Sequence, residues 1–264
     1  MKTRSMRRVL ALAAGLGLAC GGARGAAPEQ AFSLDPATNT AVVPVTRLEK
    51  DSYDWWQRHE AELAEGRKLD PEIVLIGDSI THFWAGPPQG NHANGPAAWK
   101  ATFGERRVLN LGFGWDRTQN VLWRLDHGEF DGLHPKTVVL HIGTNNFTPT
   151  PHARANTPQE VYEGILAIIE RVRAQSPQSR IVVMGVMPRY EKPDNPGRAR
   201  IAALNALLEK GLAGKEGITY LDIGAQLLQP DGTLSREIMG DFTHPTDKGY
   251  AIWGRALLAA GVAR

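Results

Sequence analysis

Cysteine is all but absent from this 264-residue chain. Cys20 stands alone, so no intrachain disulfide holds the fold and a cysteine-rich zinc site is excluded. Aromatic residues make up only 7%. No apolar run reaches the ~20 residues that a bilayer-spanning helix needs. Several well-known catalytic signatures are missing too. No G-x-S-x-G elbow of the α/β-hydrolase layout occurs. His59-Glu60 lacks the second histidine of a zinc-binding H-E-x-x-H helix, because position 63 is Leu63. Gly112-Phe113-Gly114 lacks the third glycine of a dinucleotide-binding turn, and no phosphate-loop pattern follows a strand. What is present has ordinary globular proportions: 42% hydrophobic and 22% charged residues, enough chain for one large α/β domain.

The N-terminus departs from those proportions. Lys2, Arg4, Arg7 and Arg8 precede an apolar run from Val9 to Cys20, followed by small residues up to Ala27. A basic segment, a short apolar segment and a small-residue cleavage site are the marks of a bacterial-type secretory signal over residues 1–25, cut after Gly25. Removing it takes away five basic residues and no acid, so the net charge falls from +2 to −3. The basic balance therefore gives no reason to expect nucleic-acid or anionic-membrane partners. The alternative, a lipoprotein anchored through Cys20, fits the preceding Gly17-Leu18-Ala19 poorly. The expected location is the periplasm or the medium. Residues 26–50 mix Pro, Ala and Thr without a period and read as an extended lead-in.

Residues 51–264 read as one domain. Helical character over Asp54–Arg67, with Trp55, Trp56, His59 and Leu63 roughly on one side, precedes an alternating pattern. Apolar β-type runs lie at Glu72–Ile76, Arg107–Leu111, Thr137–Ile142, Arg180–Val186 and Ile218–Ile223. Helical patterns lie between them at Thr118–His127, Pro158–Gln175 and Arg198–Lys210, and Thr246–Ala260 closes the chain. Pro158 suits a first helical position after Thr157 as N-cap. Five short, continuous apolar strands separated by helices imply a parallel sheet covered on both faces.

In such sheets the ligand crevice lies at the carboxyl ends of the strands. Four polar clusters stand there. Gly77-Asp78-Ser79 follows the first strand, and a hydroxyl at a strand-to-helix turn meets free backbone N–H groups and a positive dipole end. A plain N-cap serine has the same look. Asn110 to Thr118 follows the second strand, and Gly143-Thr144-Asn145-Asn146 the third. Asn145 has the donor that a developing oxyanion needs, although a GTNN turn bonded to itself reads the same way. Asp241 and His244, three apart and ended by Pro245, let a carboxylate accept the imidazole Nδ1–H, whereas most D-x-x-H pairs are surface turns. His82 and His141 compete as bases, and both also read as core or supporting residues. His244 is preferred because it brings its own acid and completes the order Ser…Asp…His.

Taken together, these four blocks resemble those of SGNH (GDSL-type) hydrolases, and most closely the catalytic subunits of intracellular platelet-activating-factor acetylhydrolase and their bacterial relatives. Trp123-Arg124-Leu125 with Gly128-Glu129, the Lys136–Asn146 stretch, Gly185 to Arg189 and Glu191-Lys192-Pro193 extend the likeness from about Trp55 to the C-terminus. The resemblance implies a flavodoxin-like three-layer α/β/α sandwich on a five-stranded parallel sheet. It also implies a serine esterase of short acyl esters, expected to be O-acetyl groups on carbohydrate, that needs no metal or cofactor. By the same resemblance Ser79 is nucleophile, His244 base and Asp241 its partner, with the oxyanion hole from Ser79, Asn145 and either Gly114 or Trp115. Trp115 stands where the family usually has glycine. Asp78, Trp115 and Arg189 are expected to contact substrate. A lysophospholipase or thioesterase, and a carbohydrate-binding protein without catalysis, are the competing readings.

Overall fold

A computed structural model describes residues 38–263, so the expected signal segment, Cys20 and the first part of the lead-in lie outside the described residues. Five strands form one parallel sheet: β1 (Ile73–Gly77), β2 (Val108–Gly112), β3 (Thr137–His141), β4 (Arg180–Met184) and β5 (Ile218–Leu221), in the order β2-β1-β3-β4-β5. This is the flavodoxin-like order, with the switch point between β1 and β3. The strands start or stop up to two residues away from the apolar runs, because flanking residues such as Ile142 and Val186 stay buried after the ladder has ended.

Side chains on successive strand residues point to opposite faces, so each strand feeds two cores. Val74, Ile76, Leu109 and Leu111 join Leu122, Ile165 and Leu204 in one. Ile73, Leu75 and Val108 join Trp84, Tyr250 and Trp253 in the other. Helices α1 (Trp55–Leu69), α4 (Thr118–Asp126), α5 (Pro158–Gln175) and α6 (Pro196–Leu212) cover the first face, and α2 (Ser79–His82), α3 (Pro96–Phe103), α7 (Gly224–Leu227) and α8 (Asp247–Ala259) cover the second. The result is a three-layer α/β/α sandwich. Among the described residues no helix is long and apolar enough to cross a membrane.

Local chemistry sets several helix starts. Thr157 and Glu160 form a reciprocal capping box ahead of Pro158 on α5. Pro196 lets α6 start two residues before the expected Arg198, with Asn195 capping Gly197 N–H. Helix α3 has no counterpart in the sequence reading. Two turns are marginal alone; α3 is held by α8, where Gly254 lets Thr102 approach so closely that a Cβ would stand 1.9 Å from its Oγ1.

Helix α1 departs from the expected face. Its buried stripe is Trp55, Arg58, His59, Glu62 and Gly66, while Trp56 is 40% exposed. Residues 38–50 include a 3-10 helix (Thr40–Val42) and bond to α4 through Thr118 Oγ1 to Ala41 O and Asn120 Nδ2 to Thr46 O.

Candidate active site

All four polar clusters follow the carboxyl ends of β1, β2 and β3 or lie in the loop before α8. Ser79 opens α2 directly after β1 and its N-cap, Asp78. The Asp78 side chain is fully buried and its Oδ1 accepts Ile80 N–H at 2.9 Å. Asp78 therefore caps the helix that carries Ser79, and burial keeps it from the substrate contact expected of it. That burial pushes its carboxyl up to about 7.

The loop between α7 and α8 delivers the other two residues. Asp241 Oδ1 accepts the backbone N–H groups of Thr243 (2.9 Å) and His244 (2.7 Å), folding the loop back on itself. Its Oδ2 lies 2.7 Å from His244 Nδ1, and His244 Nε2 lies 2.8 Å from Ser79 Oγ. A carboxylate only accepts, so Nδ1 carries the proton and Nε2 accepts from the serine hydroxyl. Burial pushes the Asp241 carboxyl up, but the hydrogen bonds from His244 and the backbone outweigh it and leave the group below its ordinary value. Thr246 caps α8 two residues after His244, and Phe83 packs its ring 5.1 Å from the imidazole.

His82 and His141 stand apart from this chain. Both are buried, and burial lowers them to about 2 and about 4 respectively, so both are neutral over the working range. His141 Nε2 accepts Met187 N–H, and His82 Nδ1 accepts Gly114 N–H at 3.3 Å.

That last bond separates the two candidate oxyanion donors. Gly114 has spent its N–H on His82, and its carbonyl accepts from Tyr53 Oη at 3.0 Å. The backbone N–H groups of Trp115 and Ser79 make no hydrogen bond among the described residues. Trp115 sits in the left-handed region at φ 64°, a conformation costing a bulky residue about 1–2 kcal/mol, and its side chain is 38% exposed. Asn145, buried at the start of the turn after β3, gives one Nδ2 hydrogen to Asp116 O at 3.0 Å and keeps the other. Arg189 is half-buried, its Nη1 held by Thr148 Oγ1 and Thr144 O in the loop after β3.

The turn that carries Trp115 rests on a buried charge network that sequence reasoning missed. Arg58 on α1 donates Nε to Gly112 O (2.7 Å) and Nη2 to Asn110 O (3.1 Å), and it pairs with Glu62. Arg124 on α4 pairs with Glu129 and, at 2.8 Å, with Asp116 Oδ2, while Trp55 Nε1 donates to Asp116 Oδ1. Three carboxylates thus face two guanidiniums. Burial raises Glu62 well above the usual carboxylate range and pushes the Asp116 carboxyl up to about 7. Asn146 closes the far side, bonding Thr118, Gln119 and Asn156. The spacing of Arg58 and Glu62 at i, i+4 was the available signal, but it reads as an ordinary surface pair.

The arrangement can deliver a serine oxygen to a carbonyl, remove its proton and stabilise negative charge with three N–H groups. Known proteins agree with this chemistry. Residues 75–252 match the GDSL-like Lipase/Acylhydrolase family. The chain is 35% identical over 226 residues to platelet-activating factor acetylhydrolase IB subunit alpha1 of Bos taurus, covering 86% of this chain and 90% of that one. The Homo sapiens protein of that name is 35% identical over 81% of this chain and 85% of its own. In fold it is similar to a GDSL-like lipase from Bacteroides thetaiotaomicron, with TM-score 0.61, 20% identity and coverage of 78% and 96%. It is also similar in fold to an acetylxylan esterase from Geobacillus stearothermophilus, with TM-score 0.54, 18% identity and coverage of 71% and 92%. The chain belongs to the GDSL-like lipase/acylhydrolase family and is an ester hydrolase.

Proposed function

We propose that the protein is a secreted or periplasmic serine esterase that removes short acyl groups, chiefly O-acetyl, from carbohydrate. Ser79 Oγ attacks the ester carbonyl while His244 Nε2 takes its proton. Asp241 holds the imidazole in the required tautomer and stabilises its charged form. The N–H groups of Ser79 and Trp115 and the free hydrogen of Asn145 Nδ2 receive the oxyanion, each such donor typically worth about 3–4 kcal/mol. Collapse of the tetrahedral intermediate breaks the bond to the alcohol, which leaves with the proton from His244. Water, deprotonated by His244, then attacks the acyl-serine and releases the acid. One observation carries this reading: an unbroken Asp241–His244–Ser79 chain ends at a serine whose backbone N–H, like that of Trp115, makes no hydrogen bond among the described residues.

The substrate side is supported by Trp115. It is one of two exposed large hydrophobic residues among the described residues, it stands where the family usually has glycine, and an indole face suits a sugar ring. The name of the relatives at 35% identity, acetylhydrolase, speaks for a short acyl group. Export rests on the basic and apolar N-terminal segment. The competing reading, an esterase of lipid substrates, draws on the same relatives' naming for platelet-activating factor. Measuring kcat/KM on acetylated xylo-oligosaccharides, an acetylated glycerophospholipid and a long-chain lysophospholipid separates them. The carbohydrate reading expects the acetylated sugars to lead and the lysophospholipid to be inert; preference for either lipid replaces it.

A further inference from the structure

Beside the turn that carries Trp115 lies a cavity of about 250 Å³, walled by α1 and the 88–91 turn and sharing His82 with the active-site helix. His82 is 97% buried, and its Nε2 has no partner among the described residues. Because Nδ1 accepts Gly114 N–H, the one proton of the neutral ring lies on Nε2, a donor without an acceptor. Leaving such a donor unmatched costs roughly 1–3 kcal/mol. That nitrogen faces the bare Cα of Gly90, where an added Cβ would stand 2.7 Å away. Arg58 lines the same cavity; Nε and Nη2 are engaged inward, and Nη1 makes no hydrogen bond among the described residues. Gln57 and Asn91 add side-chain amides. Asp54, the one acidic residue in the lining, is turned to its own helix, where Oδ1 caps Gln57 N–H. Burial, then the charge of Arg58, keeps the imidazole neutral, so the field at Nε2 is positive.

We propose that this cavity is a binding site for a small carboxylate, the class of acid that ester hydrolysis releases at every turnover. One carboxylate oxygen accepts from His82 Nε2, which has no accessible surface at rest and is reached when the 88–91 turn shifts off it, and the other from Arg58 Nη1. A monocarboxylate of a few heavy atoms fits the volume, and a long acyl chain does not. Because His82 also receives Gly114 N–H, one residue before Trp115, an occupant here polarises the ring that holds the oxyanion turn.

The test is acetate binding to the full chain carrying Ser79→Ala, followed by calorimetry or ligand-observed NMR at constant ionic strength in sodium chloride, with acetamide as the neutral isostere. Saturable acetate binding, with acetamide at least tenfold weaker, is expected. Adding His82→Phe removes the Nε2 donor together with the acceptor of Gly114 N–H, whereas adding Gly90→Ala sets a methyl 2.7 Å from Nε2 and keeps the imidazole. Each should weaken acetate at least tenfold, the cost of a lost charge-assisted hydrogen bond. No saturation, equal binding of acetamide, or acetate affinity unchanged in either variant overturns the site. Turnover is not involved, so this failure leaves the esterase reading standing, and loss of that reading leaves the acetate result untouched.

Discussion

His244 Nε2 and Ser79 Oγ, 165 residues apart in the chain, lie 2.8 Å apart in the fold. Separate anchors hold the two ends. Asp78 caps the helix behind Ser79, and Asp241 and the start of α8 hold the loop of His244.

Trp115 links strain to specificity. Replacing it with glycine removes a left-handed tryptophan at φ 64° and should stabilise the fold by about 1 kcal/mol in urea unfolding. The same change opens the acyl side and removes an indole face. The ratio of kcat/KM for acetyl over butyryl aryl esters, expected at roughly 10–200 in the native enzyme, should narrow, and KM for acetylated sugars should rise. An unchanged chain-length ratio would mean that the indole points away from the acyl group.

The raised carboxyl of Asp78 has a definite sign in stability. Its folded value of about 7 lies above the unfolded carboxylate value near 3.9. The folded state therefore binds the proton more tightly than the unfolded one. This contribution is complete below about pH 4 and is lost as pH rises through 7, at up to about 1.4 kcal/mol per pH unit. Asp78→Asn should flatten the fall in unfolding free energy between pH 4 and 7 by that amount. An unaltered slope would show that Asp78 titrates normally in the folded protein.

Proton placement in the buried network is equally testable. Because burial raises the Glu62 carboxyl, Glu62→Gln, which keeps the volume without a charge, should change stability by less than about 1 kcal/mol at pH 7. Arg124→Met strands Glu129 and Asp116 and should cost about 3–5 kcal/mol. Equal losses from the two substitutions would contradict the assignment.

The sheet was legible because each strand is a short, mostly apolar run, and five such runs between helical patterns allow few architectures. The Ser79, Asp241 and His244 arrangement was legible because its residues keep short local spacings even though the fold brings them together from afar. Helix α3 was not, since its stability comes from α8 rather than from its own eight residues. Nor was the face of α1: Arg58 is spent inside the protein on the carbonyls of Asn110 and Gly112 and beside the buried Glu62, a use that no helical period reveals. The choice between Gly114 and Trp115 needed the His82 contact, which depends on the tertiary approach of two loops.

Ser79 and His244 should act as one unit on an ester carbonyl, which kcat on an aryl acetate tests for Ser79→Ala, His244→Ala and the double variant. Losses on the order of 10³-fold or more are expected for each single variant, with little further loss for the double. Losses that multiply, or a His244→Ala enzyme that keeps its activity while His82→Ala loses it, would contradict it.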